Sequence, residues 1–294
     1  MPTGQNRLAP ALEAAIETLQ SPTLGRFSCY VDRRVAGRPL LLLHSINAAP
    51  SALEVKPLFE RYRGRRPVFA PDLPGFGLSE RDNRPYSPES YAESIAVLLE
   101  AMGDGPADII ALSTTSEFAA RAILATPEAC NSLAVISPTG LSNRRPPGPG
   151  IQSRVKGFLN LPMIGGGLFS AVTSRASVRF FLNMSFEGAV PTEMVDYAYD
   201  SAHQPNAQFA PFSFLSGGLF TADACESLYM PLRVPGLVIY DRDPNVSFDQ
   251  LPALLDSGSD WSAARIQPTR GLPHWEMLDA TCEALEAFWQ RADQ

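Results

Sequence analysis

The sequence predicts an α/β protein, with a mostly parallel central sheet flanked by helices and a helical lid inserted into it. Short apolar runs, typical of strands buried on both faces, alternate with helical patterns along most of the chain. Between the fourth and fifth of these runs the alternation stops, and residues 143–224 show helical and Gly/Pro-rich segments without a clear strand. We therefore expect residues 1–142 and 225–294 to form a core domain and residues 143–224 to form a lid. The lid would lie over the carboxyl edge of the sheet, where open α/β sheets bind ligands.

The first elements are predicted to be a helix and then strands. Apolar residues recur at helical spacing near the amino terminus, at Leu8, Leu12, Ile16 and Leu19. We expect them to form an amphipathic helix packed on the domain. Residues 26–33 alternate between apolar and polar as a half-exposed strand does, and residues 39–43 (PLLLL) are apolar throughout. Another strand is predicted at residues 67–70 (PVFA), leading into a Gly- and Pro-rich turn.

The later elements continue the alternation of helix and strand. A helix is predicted from about Pro88, with Ser87 as its amino-terminal cap and proline in its first turn. Residues 108–112 (DIIAL) predict a buried strand, and the chain continues as a helix over residues 117–124. Further strands are predicted at residues 133–136, 237–240 and 264–266, and a closing helix at residues 282–289.

Length and composition limit the classes of protein that need to be considered. The 294 residues are enough for one large α/β domain with an insertion, or for two smaller domains. The net charge of −7 and the lack of a basic tract argue against nucleic acid as a partner. No apolar stretch approaches the roughly 20 residues that span a bilayer, and the amino terminus lacks the apolar core of a signal peptide. The four cysteines lie far apart, without metal-ligand or redox spacing. We expect a cytoplasmic protein with buried thiols and no membrane span; a homodimer is compatible with this composition.

Ser113 is the first candidate for chemistry. It stands between the predicted strand 108–112 and the helix that follows almost at once. A serine at such a junction lies on a tight, strained turn that exposes its hydroxyl above the sheet. The next amide, that of Thr114, lies at the amino terminus of the helix, where it can stabilise an oxyanion. Taken alone, the junction fits a helix cap about as well as a nucleophile.

Other segments resemble the α/β-hydrolase superfamily of capped serine hydrolases, in the order that this fold requires. The turn Asp-X-Pro-Gly-X-Gly-X-Ser, at residues 72–79, is the most specific match, and Gly75 and Gly77 would supply its positive φ angles. The resemblance covers nearly the whole chain and rests on five segments: PLLLLHSINAAPS, PDLPGFGLSE, ALSTT, LVIYDRDPNVSF and GLPHWEM. It implies an α/β-hydrolase fold with an elbow serine, an acid loop and a histidine loop.

The resemblance also implies a role for each of the three histidines. His274 follows the last strand and precedes the closing helix, which is the family's position for the catalytic base. His44 stands in the oxyanion loop, and His203 in the predicted lid. We expect His44 and His203, together with Ser45 and Phe181, to border the substrate.

For the acid the sequence leaves two candidates, Asp241 and Asp243, and Asp243 fits the family position better because Val246 follows three residues later. In the implied mechanism, His274 takes the proton of Ser113, which attacks a carbonyl, and Asp243 fixes the imidazole. The amides of Ile46 and Thr114 would bind the oxyanion. No metal or organic cofactor is needed.

Three residues depart from the family pattern. Ala111 and Thr115 replace the two elbow glycines, and Ser45 replaces the glycine of the His-Gly loop. The predicted lid holds nine phenylalanines, which favour an apolar substrate. We therefore predict a serine hydrolase that cleaves an apolar carboxylic ester. The alternatives are a C–C bond, thioester or lactone hydrolase with the same triad, and a non-catalytic ligand-binding homologue, which the altered glycines favour. Dehalogenases and epoxide hydrolases of this fold use an aspartate at the elbow, where this chain has Ser113.

Overall fold

The computed structural model describes residues 8–103, 105–161 and 164–293, with the side chain of residue 164 left aside. Eight strands form one sheet in the order β1-β2-β4-β3-β5-β6-β7-β8. β1 and β2 pair antiparallel, as do β2 and β4, and the other neighbours are parallel. The strands are β1 (Ala15–Ser21), β2 (Gly25–Asp32), β3 (Leu40–Leu43), β4 (Val68–Asp72), β5 (Ala107–Leu112), β6 (Cys130–Ile136), β7 (Gly236–Arg242) and β8 (Trp261–Arg270). The predicted α/β class with a mostly parallel sheet is confirmed.

The predicted amino-terminal helix is wrong, because residues 8–14 form neither helix nor strand and the chain continues from Ala15 as strand β1. β1 forms a hairpin with β2, in which Ile16 lies opposite Tyr30 and Leu19 opposite Phe27. The apolar residues at helical spacing do not share one face here, since Leu12 is buried ahead of the strand while Ile16 is exposed within it. Hydrogen bonding along the edge of β2 therefore outweighs a helical pattern of only four residues.

Helices cover the sheet and connect its strands. Ser87 caps α2 as predicted, since its side chain accepts a hydrogen bond from the Ser90 amide. A short 3-10 turn, Ala52–Val55, precedes the first helix. The helices are α1 (Lys56–Tyr62), α2 (Pro88–Ala101), α3 (Thr115–Ala125), α4 (Pro149–Leu159), α5 (Ile164–Val172), α6 (Arg175–Met184), α7 (Thr192–Ala202), α8 (Phe209–Leu215), α9 (Leu251–Leu255), α10 (Pro273–Glu276) and α11 (Leu278–Ala292). Among the described residues, no helix is both long and apolar enough to cross a membrane.

The core lies on both faces of the sheet, and β3 explains the run of four leucines. Leu41 and Leu43 belong to one buried cluster, and Leu40 and Leu42 to the cluster on the opposite face. Successive side chains of a strand point to opposite faces, so a strand covered on both sides must be apolar at every position. Each of these leucines is fully buried, and burying such a side chain contributes about 1.5–3 kcal/mol.

The turn after β4 depends on glycine, as the sequence predicted. Gly75 and Gly77 have φ angles of 93° and 50°. A Cβ atom at Gly77 would lie 1.9 Å from Cγ of Asp72, so this position excludes any side chain. Asp72 is buried and accepts hydrogen bonds from the amides of Ala52 and Leu78. Its burial raises the pKa of the carboxyl to about 6.

Candidate active site

Ser113 stands in a strained turn between β5 and α3. Its φ angle of 52° lies in the left-handed region, which costs a non-glycine residue about 1–2 kcal/mol. Hydrogen bonds hold the turn in place, since the Ser113 amide donates to Ile136 O at 3.0 Å and Ser113 O accepts from the Ser116 amide at 3.1 Å. Thr115, which replaces the second elbow glycine, is the first residue of α3, and its hydroxyl donates to Leu112 O at 2.7 Å. The turn therefore forms without the two elbow glycines.

A cavity of about 340 Å³ lies at the carboxyl edge of the sheet, beside Ser113. Its floor comes from the ends of strands and the loops after them, including Leu112, Ser113, Ile136 and Ser137. Helices between β6 and β7 contribute the other side, with Val172, Val178, Phe181, Leu182, Met194, Ala198, Phe214 and Leu215. Of the residues predicted to border the substrate, Ser45 and Phe181 line this cavity. Most of its walls are apolar, which suits an apolar ligand.

Of the two residues whose amides are predicted to bind an oxyanion, one lines the cavity and the other directly follows Ser113, which lines it. Ile46 lines it, and Thr114 is the buried residue that immediately precedes α3. No described group accepts a hydrogen bond from either amide, so both are free to bind an anion. Since Thr114 N stands at the amino end of α3, the helix dipole adds to the attraction.

Glu54 fixes the loop that carries Ile46, and the sequence analysis did not identify it. Its buried carboxylate accepts the Ser45 amide at 2.8 Å and the Asn47 side-chain amide at 2.9 Å. Burial raises the pKa of Glu54, and the hydrogen bonds from Ser45 and Asn47 oppose this rise. A lone glutamate in the apolar stretch ALEV was the signal that could have revealed it.

The structure separates the two candidate acids. Asp243 lines the cavity, and its Oδ1 accepts the amides of Asn245 and Val246 at 2.7 and 3.2 Å. Burial raises the pKa of Asp243, and those two hydrogen bonds oppose the rise. Asp241 instead accepts hydrogen bonds from Arg265 and the Thr269 amide, away from the cavity lining. Its position supports a structural role.

The structure does not bring His274 to Ser113 and Asp243, so the predicted triad is not assembled. His274 is fully buried on α10 and is absent from the cavity lining. Its Nε2 lies 2.8 Å from the carbonyl oxygen of Glu54, and Trp275 Nε1 donates to the same oxygen at 2.7 Å. Nδ1 has no hydrogen-bond partner in the described parts of the chain, and burial lowers the pKa of the imidazole to about 4. The physical reason is that α10 begins at Pro273 and turns His274 into the interior.

The other two histidines also lie outside the cavity lining. His44 is buried; its Nε2 accepts the Leu73 amide at 2.9 Å, and its Nδ1 lies 2.6 Å from Ser45 O. His44 therefore links two loops. The expectation that it borders the substrate is not met. His203 is exposed at the end of α7 and lies against the ring of Tyr199. No histidine of this chain thus borders the cavity, whereas the sequence predicted three near the substrate.

Comparison with known proteins places the chain in a family. A family model described as the alpha/beta hydrolase family matches residues 40–287. This chain belongs to the alpha/beta hydrolase family. The match runs from β3 into α11, so the sheet, the elbow and the segment between β6 and β7 all fall within it. The comparison with curated protein sequences gave no match.

Solved structures of alpha/beta hydrolases share the fold at low sequence identity. A serine hydrolase involved in carbazole degradation (CarC enzyme) is 17% identical, with a TM-score of 0.73, over 95% of this chain and 99% of that one. A 2-hydroxy-6-oxo-6-phenylhexa-2,4-dienoate hydrolase from Rhodococcus sp. strain RHA1 is 19% identical, with the same TM-score and coverage. A thermophilic esterase from Thermogutta terrifontis is 16% identical, with a TM-score of 0.71, over 96% and 100% of the two chains. These likenesses concern the fold.

Proposed function

We propose that this alpha/beta hydrolase is a serine hydrolase that cleaves a small, apolar carboxylic ester with Ser113 as nucleophile. The strained φ of Ser113 beside the cavity carries the proposal, because such strain persists only where the surrounding structure enforces it and often marks a functional site. A helix cap does not need a left-handed serine. The apolar walls and the volume of the cavity support a small apolar substrate.

In the proposed reaction, Ser113 Oγ attacks the substrate carbonyl and the amides of Ile46 and Thr114 stabilise the negative charge on its oxygen. Glu54 assists indirectly, because it holds the loop that carries Ile46 in place before substrate arrives. Such preorganised donors commonly account for a large part of the rate enhancement. Asp243 is the cavity carboxylate that would stabilise a cationic base beside Ser113.

A second function, ligand binding without catalysis, is favoured by one specific observation. None of the described residues that line the cavity is a histidine, and His274 is committed to Glu54 O. Without a base, a serine hydroxyl is a weak nucleophile at neutral pH. The cavity alone would then serve to bind an apolar ligand.

Two measurements on the same samples separate these functions. The first is hydrolysis of p-nitrophenyl esters of increasing acyl length, together with a thioester and a lactone, by wild type and Ser113→Ala. The second is mass-spectrometric detection of a fluorophosphonate adduct on Ser113. Turnover and labelling that both disappear in Ser113→Ala are the expected results, and the best substrate would define the chemistry and the pocket length. Neither turnover nor labelling in a correctly folded wild type, with or without a soluble base such as imidazole, would favour the binding protein.

A further inference from the structure

Gly271, between β8 and α10, occupies the place from which a side chain would reach Asp243. It lines the cavity together with Ser113 and Asp243. A Cβ built on Gly271 would lie 3.0 Å from Asp243 Oδ2 and 3.3 Å from Ser185 Cβ. The φ angle of Gly271 is not in the left-handed region, so the backbone does not require glycine here. The chain thus presents no side chain at this loop position, which faces the acid.

The free side of Asp243 faces the same point. Within the described residues, its hydrogen bonds from the Asn245 and Val246 amides both end on Oδ1, whereas Oδ2 is the oxygen nearest to a Cβ at Gly271. Among the described residues that line the cavity there is no lysine, arginine or histidine, and the acidic ones are Glu54 and Asp243. A half-buried carboxylate such as that of Asp243 is less well solvated than an exposed one, which is unfavourable without a cation nearby. A positively charged or basic group at Oδ2 would relieve this cost.

We propose that the cavity binds a ligand bearing a basic nitrogen, and that this nitrogen lies between Asp243 Oδ2 and Ser113, beside Gly271. The nitrogen would be an imidazole or an α-amino group, because their pKa values lie near neutral pH, where a base is most effective. This inference rests on the proposed function and names its substrate class: esters whose acyl part carries such a nitrogen. The substrate itself then supplies the base that no histidine of the chain places in the cavity.

The proton transfers of such a reaction balance without any further reagent. The neutral nitrogen takes the Ser113 hydroxyl proton while Oγ bonds to the carbonyl carbon and the carbonyl π electrons move to oxygen. The intermediate collapses, the C–O bond to the alcohol breaks, and the leaving oxygen takes the proton from the nitrogen. Because the nitrogen stays with the acyl group, it then takes a proton from water, whose oxygen attacks the ester carbonyl of the acylated Ser113. As this second intermediate collapses, the bond to Ser113 Oγ breaks, Oγ takes the proton back from the nitrogen, and the acid is released. Asp243 stabilises the nitrogen whenever it is charged.

Free imidazole is the probe for this site. We would measure its binding by calorimetry, and the rate of fluorophosphonate labelling of Ser113 as its concentration rises, in wild type and Asp243→Asn. Saturable binding and a labelling rate that rises about 10-fold or more, both lost in Asp243→Asn, are expected, since general bases contribute about 10²–10⁴-fold. Unchanged labelling with no binding, or an equal response in Asp243→Asn, would overturn the inference.

A matched pair of variants tests the same position from within the chain. Gly271→His adds an imidazole and Gly271→Ala adds only the Cβ, so any effect of the close contact with Asp243 is common to both. Labelling about 100-fold faster in Gly271→His than in Gly271→Ala, with little response to free imidazole, is expected. Equal rates in the two variants would contradict the base position. If imidazole binds through Asp243 but Ser113 is never labelled, the binding site is supported and the hydrolase proposal fails. If Ser113 is labelled rapidly at a rate that does not depend on imidazole, the hydrolase proposal is supported and the nitrogen site fails.

Discussion

His274 is hydrogen-bonded to the main-chain oxygen of Glu54, the residue whose carboxylate holds the loop that carries Ile46. Since this carbonyl accepts from Nε2, the neutral imidazole carries its proton there and leaves Nδ1 unprotonated. The histidine that the sequence predicted as the base therefore supports the oxyanion side of the cavity from behind. This placement leads to predictions that differ sharply from those of a triad.

Replacing His274 by glutamine is expected to change the labelling rate of Ser113 by less than about 3-fold, because the glutamine amide can still donate to Glu54 O. Loss of a catalytic histidine instead costs about 10⁶-fold. Fluorophosphonate labelling measures the rate, and circular dichroism verifies the fold. A loss of about 10³-fold or more in a folded His274→Gln protein would restore the histidine to the triad.

Acid is expected to destabilise the wild type through His274. The pKa of this imidazole falls from its usual value near 6.5 to about 4 on burial, so the unfolded chain takes up a proton first. Stability is complete above pH 6.5 and falls as the pH drops toward 4, by up to about 3 kcal/mol. Urea unfolding at pH 7, 5 and 4 should show a smaller loss in His274→Gln than in the wild type. The loss that remains comes from His44, whose pKa burial also lowers to about 4 in both proteins. The raised pKa of Asp72 acts in the opposite direction, and it is common to both proteins.

Glu54→Gln should loosen the loop that carries Ile46 without leaving a cavity in the core, because glutamine has nearly the same volume as glutamate. In glutamine an NH₂ group replaces one of the two carboxylate oxygens. This group donates and cannot accept, so one of the two hydrogen bonds, from the Ser45 amide or from the Asn47 side chain, is lost. We expect about 10- to 100-fold slower ester turnover, the scale of one lost oxyanion donor or less. Glu60→Gln, at an exposed position on α1, is the matched control and should keep full turnover. Equal turnover in the two variants would exclude this role for Glu54.

Gly77→Ala is expected to cost at least about 3 kcal/mol of stability, because its Cβ would overlap the buried carboxyl of Asp72. Gly64→Ala separates that overlap from backbone strain. Gly64 also has a left-handed φ, of 72°, but a Cβ there would lie 3.6 Å from its nearest neighbour, the guanidinium of Arg34. This control should lose only about 1–2 kcal/mol. Urea unfolding of both variants gives the comparison, and similar losses would show that overlap with Asp72 is unimportant.

The sequence predicted the parts of the fold that depend on local pattern. The apolar runs located β3, β5, β6 and β7, because strands covered on both faces allow no polar alternative. Strand β1 escaped this reasoning, since its pairing with β2 depends on a partner that local periodicity does not show. The order of motifs likewise led to Ser113, whose surroundings are local.

The candidate site was harder to predict, because its geometry depends on single residues and long-range contacts. Whether His274 faces the cavity depends on where α10 begins, and a boundary of one or two residues lies beyond sequence patterns. The position of Gly271 opposite Asp243 joins two loops that follow different strands. Glu54 contacts the loop that follows β3 and also His274, which lies 220 positions away in the sequence.

That last contact also bears on how the protein is made. Two donors to Glu54 O, His274 and Trp275, are synthesised more than 200 residues after Glu54 itself. Until residue 275 has left the ribosome, the segment beside Ile46 lacks this support, although Ser113 has long been synthesised. The arrangement delays completion of the cavity until that point of translation, and nascent polypeptides that stop before residue 274 lack the support altogether.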